Sequence, residues 1–285
     1  MANNTSIPLC LPHNSMRRTI EEKHAIAELD YATYQERQLC EVSKQGLQKS
    51  AAKMKVGSKF YHDGNTWQAV PYPGYAVLSM VADTIENKPL ENVLLDAQKR
   101  LGSVLELGDK MYLLPKESFH QTTASALSDK RFDYHIVSKG LEKEYPFLVS
   151  QSMGNMPQEN QARPVAMKMI GLSIFSSAIG VLGIFENELD YLRITRFREH
   201  FYENSTIQNL GIVRTRPFIG HITLAYFGNE LLSDQQKSEL VNVCDDINQS
   251  WKDKEPVFFI TQAALRQYDN LSAFNALPDL PVYKF

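Results

Sequence analysis

Two segments of the chain carry a histidine two positions ahead of a threonine in an apolar, strand-like setting. They are Ser118-Phe119-His120-Gln121-Thr122-Thr123 and Gly220-His221-Ile222-Thr223-Leu224-Ala225-Tyr226. In an extended strand residues i and i+2 point to the same side, so each segment presents an imidazole and a hydroxyl together. Ile222 and Leu224 then point the other way, into a core. One such pair can orient a phosphate. Two facing pairs can also move protons, one imidazole taking a proton from the nucleophile while the other gives one to the leaving oxygen. Histidine suits both roles because its ordinary pKa of about 6.5 lies near cellular pH. The hydroxyls of Thr122 and Thr223 can donate to phosphoryl oxygens as charge builds on them. Chemistry of this kind asks for neither a metal nor an organic cofactor.

The bare His-x-Ser/Thr pattern is weak, since seven histidines in a chain of ordinary Ser and Thr content give about one chance match. His13-Asn14-Ser15 is such a match, in a Pro-flanked polar terminus where no strand is expected. Arg193, Arg196, Arg198, Arg214 and Arg216 concentrate positive charge, and a guanidinium grips phosphate as a planar fork. Arg193 and Arg196 are the candidates for substrate binding; the alternative is a solvated charged helix face flanked by Glu186, Glu188 and Glu199. Strand parity puts Tyr226 opposite His221 and so in the core. Trp67, Tyr72 and Tyr75 could stack on a base, although aromatic residues beside a hairpin more often pack inward. The remaining histidines show no metal-ligand spacing. His-Glu-x-x-His, the phosphate-cradling glycine loop and Gly-x-Ser-x-Gly are all absent.

Thr19-Ile20-Glu21-Glu22 has the form of a reciprocal helix cap, so a helical segment is expected to about Lys55, ended by Gly57. Lys59 to His62 leads into Asp63-Gly64, a dipeptide suited to a hairpin turn. Tyr75 to Val81 reads as a buried strand. Leu90 to Leu107 has apolar residues at helical spacing. Strands are expected at Met111 to Leu114 and Phe119 to Ser125, mixed helix at Asp129 to Leu148, and a loop at Gln151 to Pro164. Val165 to Ile174 and Ile179 to Phe185 are strands, followed by a helix striped with Tyr191, Ile194, Phe197 and Phe201. Ile219 to Phe227 is a strand, Ser233 to Gln236 caps a further helix, and Pro256 to Ala263 is strand again. The second half repeats the grammar of the first.

Composition bounds the rest. At 285 residues and 43% hydrophobic content the chain can bury a large core. Thirty basic against 33 acidic residues, a formal charge of −3, provide no global field for long duplex DNA. Cys10, Cys40 and Cys244 are an odd set without Cys-x-x-Cys spacing, which argues against a disulfide framework or zinc ribbon. A reducing, cytoplasmic setting is expected. The longest apolar run, Ala178 to Phe185, is far shorter than the roughly 20 residues of a membrane span, so no membrane partner is expected.

The residues resemble the two-histidine (2H) phosphoesterases, whose members carry two His-x-Thr/Ser motifs on strands of a bilobal, pseudo-twofold fold. His221-Ile222-Thr223-Leu224 matches the C-terminal motif closely. Gly57-Ser58-Lys59-Phe60, Asp63-Gly64, Pro73-Gly74 and Pro115 to Thr122 extend the likeness to an uncharacterised bacterial branch, over about Gly57 to Ala264. Tyr75-Ala76 departs from that branch, where a small polar pair is usual. The resemblance implies an α+β fold, two antiparallel sheets around a central cleft with helices outside. It implies a two-lobed domain over residues 56–285, with lobes at roughly 56–150 and 165–285; the N-terminal helical extension expected over residues 1–55 lies outside the likeness. It implies metal-independent hydrolysis of a 2′,3′-cyclic phosphate or 2′-5′ phosphodiester of a nucleotide or RNA end. His120 and His221 would be acid and base, and Thr122 and Thr223 would hold the phosphate. The alternative is a protein that binds a nucleotide or RNA end in the same cleft without turnover.

Overall fold

The computed structural model describes residues 26–104, 107–157 and 163–285. Thr19 to Glu22 and Cys10 lie outside them. The described helices are α1 (Tyr31–Val42), α2 (Lys44–Ala51), α3 (Lys88–Gly102), α4 (Asp129–His135), α5 (Tyr145–Gly154), α6 (Glu188–Glu203), α7 (Ser205–Asn209) and α8 (Asp234–Trp251). The strands are β1 (Phe60–His62), β2 (Trp67–Ala69), β3 (Gly74–Met80), β4 (Met111–Leu113), β5 (His120–Ser128), β6 (Val165–Ile174), β7 (Ala178–Phe185), β8 (His221–Phe227), β9 (Val257–Ile260), β10 (Gln262–Tyr268), β11 (Asn275–Ala276) and β12 (Tyr283–Lys284).

The class is α+β, as expected. β1 and β2 form a separate hairpin, and the other ten strands form one antiparallel sheet in the order β11-β10-β3-β5-β8-β7-β6-β9, with β4 on β8 and β12 on β10. Hydrogen bonding therefore makes one sheet where the sequence reading expects two. Its halves are joined between β5 and β8 by a single residue pair, Gln121 opposite Ile222.

One face of this sheet is covered by helices. α6 buries Tyr191, Ile194, Phe197 and Phe201, each at most 1% exposed, a stripe worth roughly 2–3 kcal/mol per side chain in apolar burial. They share a core with Val77 of β3, Ala124 of β5 and Ile222 and Leu224 of β8. The other face carries a smaller cluster of Ala76, Leu78 and Met80 of β3 with Tyr268 of β10, flanked by Tyr72, Leu271 and Phe274.

Several elements differ from the sequence reading. The N-terminal helical segment is broken at Ser43, whose extended backbone ends α1 and whose hydroxyl accepts from Gly46 N to start α2. Helix α3 stops at Gly102, and Gln151 to Gly154 end α5 instead of opening a loop. The last strand region divides at Thr261 into β9 and β10. Around Asp63-Gly64 the hairpin pairs His62 with Trp67, so Asp63 to Thr66 form a four-residue turn, with Gly64 at φ +97°. Cys244 is a free, buried thiol. No described helix is long and apolar enough to cross a membrane.

Candidate active site

The Gln121–Ile222 pair is antiparallel, so one step to either side sets His120 beside Thr223 and Thr122 beside His221. All four side chains lie on the face opposite Gln121 and Ile222, which are fully buried. His120, Thr122, His221 and Thr223 are each half-buried. The two motifs thus form one quartet with an approximate twofold relation, in which each histidine neighbours the threonine of the other motif.

Both imidazoles are held in the same way. His120 Nδ1 lies 2.6 Å from the Ser118 carbonyl and His221 Nδ1 lies 3.1 Å from the Ile219 carbonyl, each two residues upstream. A carbonyl only accepts, so each Nδ1 carries a hydrogen and each ring, when neutral, has its lone pair on Nε2. Each ring also meets a phenyl edge-on: Phe274 at 4.3 Å from His120 and Phe175 at 5.5 Å from His221. Burial pushes His120 down to about 4, partly opposed by its bond to Ser118, so it is neutral at cellular pH.

Gln121 ties the motifs together where the ladder has one pair. Its amide nitrogen donates to the carbonyls of Thr122 (2.8 Å) and Ile219 (3.1 Å), and its oxygen accepts from His221 N at 2.5 Å. Ile219 is the residue whose carbonyl orients His221, so Gln121 fixes that bond from the other strand. From the helix side, Gln38 of α1 donates to Gly183 and Gly220 at 3.0 Å each, and Arg37 to Phe218 at 2.7 Å. The N-terminal helix therefore grips the chain immediately ahead of His221.

Each motif is followed by a bulge. Pairing passes from Leu78–Thr122 to Val77–Ala124 on β5, and from Gly180–Thr223 to Ile179–Ala225 on β8, leaving Thr123 and Leu224 unpaired. The extra residue reverses side-chain parity. Tyr226 therefore returns to the histidine face, half-buried, with its hydroxyl hydrogen-bonded to Thr223 and its pKa pushed up to about 12 by burial. The expectation that Tyr226 is core is corrected. The bulged carbonyls are met by helix side chains: Arg198 of α6 donates to Thr123 at 2.7 Å, and Gln98 of α3 donates to Leu224 at 2.8 Å.

Arg193 and Arg196 are not brought to this site. Arg193 is 4% exposed, donates to the Arg163 carbonyl at 2.8 Å and faces buried Asp190 at 3.5 Å. Arg196 is exposed on the same helix and forms no hydrogen bond or ion pair among the described residues. That helix packs on the core face, opposite the histidines. Tyr75 is likewise core, between Phe132 and Tyr145, whereas Tyr72 joins the cluster on the histidine face. Residues the sequence reading passed over are Gln121, Phe175 and Phe274. Only Gln121 left a signal, a polar side chain at a core-facing strand position. Among the described residues no three His, Cys, Asp or Glu side chains gather to hold a metal.

No family model matches the chain, and no curated protein sequence matches it. Among solved structures it resembles the conserved protein of unknown function ATU0111 from Agrobacterium tumefaciens str. C58. The TM-score is 0.58 at 17% identity, over 78% of this chain and 90% of that one. TT0787 of Thermus thermophilus matches with a TM-score of 0.39 and 12% identity, over 75% and 97%. The likeness to the Agrobacterium protein is one of fold.

Proposed function

We propose that the protein is a phosphodiesterase that hydrolyses a 2′,3′-cyclic phosphate or a 2′-5′ phosphodiester of a nucleotide or RNA end by two-histidine acid–base catalysis. The supporting observation is the quartet: two imidazoles on one face, both with Nδ1 committed to an i−2 carbonyl, each beside a threonine of the other strand. In this reading the halves of the sheet on either side of Gln121 and Ile222 are the two lobes, and the histidine face is the cleft between them. His120, held neutral by burial, takes the proton of the attacking water at Nε2 as the water oxygen bonds to phosphorus. His221, as imidazolium, gives a proton to the ribose oxygen as its bond to phosphorus breaks. Thr122 and Thr223 donate to the non-bridging oxygens. A cyclic substrate yields a nucleoside monophosphate; a diester yields two fragments.

The test is product release from 2′,3′-cyclic nucleotides and 2′-5′- and 3′-5′-linked oligonucleotides in EDTA. Folded His120→Ala and His221→Ala are compared with wild type. Turnover that survives chelation and falls at least about 100-fold in each variant is expected. Turnover that persists in either variant, or absent turnover on every substrate, overturns the reading.

A further inference from the structure

Lys59, just ahead of β1, is held in an unusual setting. The preceding chain crosses the end of β8 so closely that Gly57 N donates to the Gly228 carbonyl, and a Cβ at Gly57 would lie 1.6 Å from the Phe227 oxygen. That crossing brings the Lys59 ammonium 3.0 Å from the ring centroid of Tyr72. The side chain is half-buried, and forms no ion pair among the described residues; Asp129 is felt only at longer range. Burial lowers its pKa to about 8, so it stays largely cationic near neutrality, with a ring face offsetting part of the desolvation cost.

Besides the Asp129 carboxylate at longer range, the groups around Lys59 include uncharged hydrogen-bonding side chains. Ser128 donates to the Tyr72 hydroxyl at 3.2 Å, which leaves the phenolic hydrogen to donate onward. Tyr268 also hydrogen-bonds Ser128, and its ring stacks on Tyr72 at 6.4 Å. Ring contacts continue to both motifs. Tyr268 meets Phe274 at 5.2 Å, and Phe274 meets His120. On the other flank Phe60, next to Lys59, packs on Tyr226 at 5.4 Å, and Tyr226 bonds Thr223. An ammonium over the Tyr72 ring, without an ion pair among the described residues and with the hydroxyls of Tyr72, Tyr268 and Ser128 gathered at that ring, is suited to an anion that arrives with the ligand.

We propose that Lys59, Tyr72, Tyr268 and Ser128 form a second phosphoryl subsite, so that the cleft takes a nucleotide carrying two phosphoryl groups, such as an oligonucleotide end, in preference to a nucleoside monophosphate. The inference deepens the phosphodiesterase reading and rests on it for the identity of the neighbouring site.

The test is calorimetric binding of adenosine 3′,5′-bisphosphate and adenosine 3′-monophosphate in EDTA to the full chain, its Lys59→Gln variant and its Lys59→Arg variant. Wild type is expected to bind the bisphosphate at least tenfold more tightly. Lys59→Gln should abolish that difference while leaving the monophosphate affinity unchanged, and Lys59→Arg should keep most of it. Equal affinity for both ligands in wild type, or an equal loss for both in Lys59→Gln, overturns the subsite. The wild-type comparison and Lys59→Arg decide the matter if Lys59→Gln does not fold. A bisphosphate preference without turnover of any cyclic or 2′-5′ substrate leaves the subsite standing and removes the catalytic reading; turnover without the preference does the reverse.

Discussion

Gln121 occupies the place between a histidine and its threonine that Ile222 fills in the other motif, and it faces the same buried side. A buried amide there is tolerable only because three backbone groups satisfy it. Gln121→Leu keeps the volume, strands His221 N and leaves the Ile219 carbonyl with only the His221 ring as donor, a cost of about 1–3 kcal/mol read from denaturant unfolding, together with loss of any activity that depends on His221. A cost below about 0.5 kcal/mol would show that the single backbone pair holds the strands unaided. His120 gives a second residue-scale prediction. The unfolded chain binds its proton near pH 6.5, the folded chain only near 4. Between those values the unfolded state holds more protons, so stability falls as pH falls, by at most about 3 kcal/mol from this group. Denaturant midpoints from about pH 7 to pH 4 should drop more steeply in wild type than in His120→Gln, which has no imidazole to titrate. Parallel curves would contradict the buried, neutral assignment.

At the scale of elements, the strand-borne histidines were legible because two-residue periodicity holds up to the threonine of each motif. It fails one residue later. No glycine or proline marks Thr123 or Leu224, and both bulges are stabilised from helices distant in sequence, which local pattern does not reveal. The misplacement of Tyr226 follows directly. The misplacement of Arg193 has a related cause: a charged residue reads as solvent-facing, yet its carboxylate and carbonyl partners take it into the packed face of α6. Arg198 on the same helix joins three distant segments, donating to Thr123 and Arg216 carbonyls and to Glu28, which in turn accepts from Phe218 N. Arg198→Met leaves a buried carboxylate and two carbonyls without this partner, so a loss of about 3–5 kcal/mol is expected. Arg198→Lys should recover only part of it, because an ammonium cannot reproduce the fork. Full recovery in urea titrations would mean that charge alone, and not the planar geometry at the bulge, secures β5.

At the scale of the molecule, two sets of strands meet at one residue pair, which by itself would let the halves part. The packing opposes this. A single buried cluster runs through Tyr34 and Leu47 of the N-terminal helices, Val77 and Ala124 of one half and Ile179, Ile222 and Phe258 of the other. Helices also cross between halves, Gln98 of α3 bonding Leu224 and Arg198 of α6 bonding Thr123. Separating the halves would expose that cluster and remove those helix donors, a cost far above what one strand pair supplies. The chain should therefore unfold as one cooperative unit. Its two tryptophans report on different places, Trp67 on the β1–β2 hairpin beside Tyr112 and Trp251 at the buried end of α8. With each replaced in turn by Phe, the fluorescence of the remaining tryptophan and far-ultraviolet circular dichroism should give the same urea midpoint and slope after correction for each substitution. Separate midpoints would mean that the hairpin side loosens before the core, and that the register between His120 and His221 can be lost while most of the fold survives.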